Sequence, residues 1–177
     1  EVDPIELEIG YGLVPLVDAS AGGTLLERIT QMRINMAREK GFVVPPIRVR
    51  DDLRLRPNEY IIKIRGVEVG RGEIMPRHYL AISPPGEEVE IQGVPTREPA
   101  FNLPAYWVSE VNKEEAEMAG FTLVDPESVL ITHLSEVIKA NAPSLLTRQD
   151  VQMLIDQVKK VNQAVVEELI PQTMSIG

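Results

Sequence analysis

The chain has 177 residues, 44% hydrophobic and 25% charged, enough for one full core or for two small lobes sharing one. Its 18 lysines and arginines face 27 aspartates and glutamates, a formal net charge of −9, which makes a broad phosphate-binding face hard to build and argues against nucleic acid as the partner. No cysteine is present, which excludes disulfides and thiolate metal sites, and no apolar run of about 18 residues exists to span a membrane.

No signal-peptide pattern is read in the opening residues. Glu1-Val2-Asp3-Pro4 reads as the middle of a longer protein, and Pro171 to Gly177 ends in the same way. Ile5-Glu6-Leu7-Glu8-Ile9 alternates as a half-exposed strand should, and Gly10-Tyr11-Gly12 turns the chain. Thr24-Leu25-Leu26-Glu27 is a capping box, and the helix it predicts runs to about Lys40. Leu25, Ile29, Met32 and Met36 lay one apolar stripe along it, and Gly41 suits the position after its end. Gly22-Gly23 ahead of this helix reads as a tight turn rather than an anion cradle, because no phosphate-binding lysine follows.

After Pro45-Pro46, Ile47-Arg48-Val49-Arg50 alternates as a second strand. Tyr60 to Arg65 is the strongest strand signal, broken at Gly66 and followed to Ile74 by an antiparallel partner. Arg48, Arg50, Arg54, Arg56, Arg65, Arg71 and Arg77 crowd this stretch, but the acids among them read as a solvated sheet face. Beyond Arg77 come short elements at His78 to Ile82 and Glu88 to Ile91, then a proline-rich loop from Gly93 to Pro104, exposed apart from Phe101 and Leu103, then a strand at Tyr106-Trp107-Val108. Asn112-Lys113-Glu114-Glu115 is a second capping box for a brief helix ending at Gly120, and Phe121 to Val124 is a strand. Asp125 caps a helix with Pro126 at its first position, and Leu130, Leu134, Val137 and Ile138 form its buried side to about Asn141. A last long helix opens at Thr147, with Val151, Leu154, Ile155, Val158, Val161, Val165 and Leu169 on one stripe. Uncovered, that stripe implies missing sequence or a second copy. The fold class is mixed α/β (α+β) to Val124 and helical beyond, with an insert between Arg77 and Val124.

Chemistry is sparse. His78 and His133 are far apart and lack a metal-ligand pattern, so His133 reads as a surface or satisfied-core residue. No nucleophile elbow appears, and 27 acids permit chance carboxylate pairs without singling one out. We therefore expect no catalytic residue, no cofactor and no metal. A small enzyme of unknown class remains the rival that no constellation supports. The loop Thr96 to Pro104 sets Phe101 among prolines beside Glu98. A stiff rim carrying an aromatic suits a protein-binding pocket, whereas the plainer reading has Phe101 plugging its own lobe, as most aromatics do.

Several runs resemble one known family closely: Gly23-Thr24-Leu25-Leu26-Glu27-Arg28-Ile29, Gly41 to Asp51, Leu55 to Tyr60, Gly72-Glu73-Ile74, Pro99 to Val108, Val124-Asp125-Pro126 and Thr132-His133-Leu134. The chain resembles the FHIPEP family of flagellar and type III secretion export-gate proteins, its flagellar branch above all. The resemblance implies the first half of a cytoplasmic domain belonging to a protein of the inner (plasma) membrane. It implies a thioredoxin-like first subdomain (1–76 and 126–145), a small inserted α/β subdomain (77–125) and the start of an all-helical third (146–177). It implies docking of flagellar export chaperones with bound substrates, contacts with other export-apparatus proteins, and a nine-membered ring of copies. The implied chaperone site lies in a dimple between the first two subdomains, at Glu98, Phe101 and Thr132, with Glu98 orienting a basic partner group. Val151, Leu154, Ile155 and Val158 are the expected oligomer or missing-subdomain face. The flagellar pattern usually has aspartate where this chain has Glu98 and glycine where it has Asn102, a position asparagine tolerates. The alternative is a structural ring component with no chaperone contact in this stretch.

Overall fold

The computed structural model describes residues 2–145, 155–156 and 158–163. The chain divides into two compact units, Glu1–Ala140 and Asn141–Gly177.

The first unit holds two four-stranded sheets. In the first sheet the order is β2-β1-β3-β4, formed by β1 (Ile5–Ile9), β2 (Ile47–Asp51), β3 (Glu59–Ile64) and β4 (Val67–Glu73). β1 and β2 run parallel, with Ile5 opposite Ile47, so the chain must cross over between them, and it does so through α1 (Leu25–Lys40). β3 pairs antiparallel with β1 and folds back into β4 through Arg65-Gly66, both at positive φ as a two-residue hairpin of the I′ kind requires. β1 lies inside the sheet, between β2 and β3, and only Glu6 of its residues is less than fully buried. Ile5, Leu7 and Ile9 face the core, and Glu8, expected in solvent, is buried too and paired to Lys63 Nζ at 3.2 Å.

α1 buries Leu25, Ile29, Met32 and Met36, the stripe its spacing predicts, and ends on Gly41 at φ 65°. The capping box does not form. The Thr24 hydroxyl donates instead to Glu127 Oε2 at 2.5 Å, in the first turn of the helix α3 (Pro126–Ala140), because a carboxylate is a stronger acceptor than the competing local bonds. Arg28 joins the same contact, donating to Asp125 Oδ2 at 2.7 Å and Ser128 Oγ at 2.8 Å.

The second sheet has the order β6-β7-β5-β8 and is antiparallel throughout, from β5 (His78–Ile82), β6 (Val94–Arg97), β7 (Pro104–Ser109) and β8 (Thr122–Val124). Two expectations are corrected here. Glu88–Ile91 is not a strand, and the pairing partner of β7 is Val94–Arg97 inside the stretch read as loop. β6 lies on the sheet edge, where the missing N–H of Pro95 costs no ladder bond. The small core of this sheet is Ala81, Val108, Ala116 and Phe121, with Ala116 supplied by α2 (Lys113–Met118). Asn112 precedes α2 but does not cap it through its side chain; its amide donates to Ser109 Oγ at 3.3 Å.

α3 begins as its sequence predicts, with Asp125 accepting from the Ser128 amide at 3.3 Å. Its buried residues are Val129, Leu130, His133, Leu134 and Ile138, while Val137 is only half-buried. The histidine is inside because it has a partner: Tyr60 Oη lies 2.6 Å from His133 Nδ1. α3 packs against α1, β4 of the first sheet and β5 of the second. Glycines in β4 permit the closeness. A Cβ on Gly70 would come within 3.4 Å of His133 Nε2, and one on Gly72 would stand 2.3 Å from Tyr60 Oη.

The second unit contains α4 (Ala142–Leu145) and helical residues at 155–156 and 158–163. Of the long helical stripe, Ile155 and Val158 are exposed, and Val151 and Leu154 lie outside the described residues.

Two predictions follow from this packing. Gly72→Ala should lower the urea-unfolding free energy by about 1–3 kcal/mol, since the fully buried, hydrogen-bonded Tyr60 ring has no room to retreat. The second concerns pH. Burial holds His133 below its usual value of 6.5, against the opposing pull of the Glu98 carboxylate. The unfolded chain therefore binds a proton that the folded chain refuses, so the contribution is intact above the unfolded value and is lost as pH falls below it. The drop in unfolding midpoint between about pH 7.5 and about pH 5.5 should be larger in the wild type than in His133→Gln.

Candidate functional site

β6 and β7 are joined by a hairpin whose tip carries Phe101. The Glu98 amide donates to Leu103 O at 2.8 Å, and the Asn102 amide donates to Glu98 O at 2.8 Å. Arg97 Nη1 donates to Asn102 O at 2.9 Å, and the Phe101 amide donates to Glu98 Oε1 at 2.6 Å. The last bond is short because its acceptor is a carboxylate. Asn102 takes φ 57°, the left-handed conformation that a glycine would adopt freely and that asparagine accepts at modest cost. The turn is thus closed by its own backbone before any partner arrives.

The reading of Phe101 as an internal plug is corrected by its position. Phe101 is 56% exposed, and Leu103 beside it is 43% exposed. The residue that fills the small core is Phe121, 4% exposed and edge-on to Tyr106 at 6.0 Å between ring centroids. The hairpin therefore presents an aromatic and a leucine to solvent on a braced loop, an arrangement that offers apolar area with little ordering left to be lost on binding.

Glu98 behaves differently from its expected role. It is 4% exposed, with Oε1 on the Phe101 amide, so it braces the tip and is not presented to a basic group in a partner. Inward, its charge acts on the Tyr60 hydroxyl and the His133 ring. Tyr60 is held well above the ordinary phenol range by burial first and by Glu98 second, so it stays a neutral donor.

Thr132, the third expected residue, sits on α3 next to His133 and lines a groove between α1 and α3 of about 490 Å³. Met32 and Met36 lie in that groove, with Arg28, Ser135 and Lys139 also lining it. Glu98 and Phe101 do not line it. The structure thus brings Glu98 and Phe101 together in one hairpin and places Thr132 apart from them, in the groove between α1 and α3. His133 is the satisfied-core histidine that the sequence allowed, and what sequence reasoning missed is its partner Tyr60, although the alternating glycines Gly70 and Gly72 in a strand are a signal of close approach.

The remaining candidates are structural. Arg50 approaches Asp3 and Glu6, Arg54 pairs with Asp52, Arg56 with Glu59, and Arg71 with both Glu59 and Glu68, so this arginine-rich stretch is interleaved with acids. Among the described residues no group of three His, Asp or Glu side chains is placed to hold a metal. His78 Nδ1 lies 3.0 Å from Pro76 O.

The hairpin geometry yields a test of its backbone. Asn102→Gly should leave the unfolding free energy nearly unchanged, whereas Asn102→Ala should cost about 1 kcal/mol, because alanine disfavours the left-handed conformation that glycine takes freely. Denaturant titration of the two variants checks the ordering.

The fold and hairpin describe a mixed α/β protein that displays a rigid apolar tip, with no assembled reaction centre among the described residues. The chain belongs to the FHIPEP family, whose model matches residues 1–177. It is 51% identical over 176 residues to the flagellar biosynthesis protein FlhA of Bacillus subtilis (strain 168), covering 99% of this chain and 26% of that protein. Among solved structures it is similar to the CdsV protein of Chlamydia pneumoniae, with TM-score 0.72 and 28% identity over 95% of this chain and 51% of that one. CdsV has also been solved in complex with CdsO. The nonameric SctV-C of EPEC shares the fold at TM-score 0.57 and 17% identity, over 95% of this chain and 49% of that one. The chain thus spans about a quarter of the length of the FlhA sequence it matches.

Proposed function

We propose that this chain is part of the docking platform of a flagellar type III export gate, where it receives export chaperones carrying their substrates. The observation that carries this reading is the exposed Phe101 on a hairpin closed by its own hydrogen bonds. Family membership supplies the setting, the cytoplasmic side of an inner-membrane protein, and other export-apparatus proteins are further partners. Its role is binding and delivery, without catalysis or cofactor.

Within this reading the first subdomain comprises residues 1–76 and 126–145 and is thioredoxin-like. The order β2-β1-β3-β4, with a parallel βαβ unit followed by an antiparallel hairpin and a helix, supports it. Residues 77–125 form the inserted second subdomain, supported by their separate sheet and small core. Residues 146–177 open the helical third. Phe101 makes the apolar contact, Glu98 braces it, and Thr132 offers a hydroxyl from α3. Val151, Leu154, Ile155 and Val158 form a face for a further subdomain or a neighbouring copy. A nine-membered ring is the proposed assembly, by analogy with the nonameric relative.

That relative also favours a second reading, a ring component with no chaperone contact in this stretch. Titration of the 177-residue chain with a flagellar chaperone–substrate complex separates the two. Phe101→Ala is expected to weaken binding by about tenfold or more, with Trp107 fluorescence unchanged. Equal affinity of wild type and variant would exclude Phe101 from the contact, and no binding by either would favour the ring reading.

A further inference from the structure

The end of β7 away from the Phe101 hairpin carries a second exposed surface. A 3-10 turn at Glu110–Asn112 runs directly into α2, so residues 110–118 form one short helical segment. Its inner side is fixed. Ala116 belongs to the small core, the Asn112 amide is bonded to Ser109, and Lys113 Nζ lies 4.5 Å from the centre of the Tyr79 ring. Its outer side presents two apolar side chains to solvent. Val111 is 88% exposed and Met118 89%, more than any other large hydrophobic residue among those described. They stand seven positions apart, about two helical turns, and so share the face opposite Ala116. Glu110, Glu114, Glu115 and Glu117 surround them, all exposed and none in an ion pair among the described residues.

We propose that this helical face is a second docking surface, and that it takes a basic segment of a partner protein with apolar side chains set among its lysines or arginines. Two features select that occupant. Covering Val111 and Met118 removes apolar area from water, which requires apolar groups on the partner. The four carboxylates around them, on a chain of formal net charge −9, repel an acidic segment, a nucleic acid or an anionic membrane and attract a cationic segment. The one lysine of residues 110–118 does not cancel them, because it is drawn back over the Tyr79 ring. Nor do they form a cation site, since among the described residues no three acidic or histidine side chains converge to hold a metal. With Ala116 and Lys113 anchored, the face loses little freedom when it is covered. The six residues of β7, about 20 Å of strand, separate it from the Phe101 hairpin, so the two surfaces are distinct.

The probe is a fluorescein-labelled amphipathic helical peptide of leucine and lysine, titrated with the 177-residue chain and followed by anisotropy, while 15N shifts of the chain map the contact. Shifts should centre on the amides of residues 110–120. Val111→Ser and Met118→Ser should each weaken binding by about fivefold. Glu114→Gln combined with Glu115→Gln should weaken it by about tenfold at low salt, a gap that narrows near about 0.5 M salt. All four side chains are exposed, so these variants keep the fold, which unchanged Trp107 fluorescence checks. The same peptide with serine for leucine, or with glutamate for lysine, should lose binding. Phe101→Ala should bind the peptide as the wild type does, so failure of the chaperone titration and failure of this inference are told apart. Equal affinity for the serine peptide would reduce the attraction to charge alone and overturn the proposal. So would variants indistinguishable from wild type, or shifts centred on Phe101 or on the helical residues 158–163.

Discussion

The hydroxyl of Tyr60 and the imidazole of His133 meet in the interior, one from a strand of the first sheet and one from the helix that also packs on the second. Burying two such groups is unfavourable unless they find each other, because each would otherwise forfeit a hydrogen bond to water. Their pairing therefore specifies how α3 sits on β3 and β4. A helix shifted by one residue would leave both groups unpaired, whereas an apolar contact in the same place would tolerate sliding. Gly70 and Gly72 are the backbone counterpart of this constraint, since side chains at those positions would occupy the space of the pair.

The ion pairs at the start of α3 act on the same helix with less authority. Arg28, Thr24, Asp125, Glu127 and Ser128 link the first turns of α1 and α3 through several short bonds. Arg28 and Asp125 are about two-fifths exposed, so solvent screens their attraction and the gain is modest. Their geometry serves alignment: the α1 crossover belongs to the first sheet, and Asp125 directly follows the last strand of the second.

The hairpin at Phe101 shows how an exposed aromatic can be held in place by a side chain that is itself buried. A carboxylate facing inward holds a backbone amide, and the aromatic attached to that amide faces outward. The ordering cost of the tip is met on folding. The glutamate side chain is long enough to close on the Phe101 amide three residues further along.

Periodicity and turn chemistry by themselves determined much of this protein: the α1 stripe, the β3–β4 hairpin, the Asp125-Pro126 helix start, and the motif runs of the export-gate family. Those features are local, encoded in neighbours a few positions apart. What only the tertiary structure decided concerns groups that choose among distant partners. Thr24 and Asn112 have the right spacing for capping boxes, yet the Thr24 hydroxyl goes to Glu127, some hundred positions away. Glu8 looks solvent-facing in the alternation of β1, yet the fold buries it beside Lys63 of the neighbouring strand. Phe101 and Phe121 are equally plausible plugs in one dimension. The closing of the β6–β7 turn by Glu98 put the first outside and left the small core to the second. Hydrogen bonds and burial are settled by which surfaces meet, and a linear pattern does not contain that information.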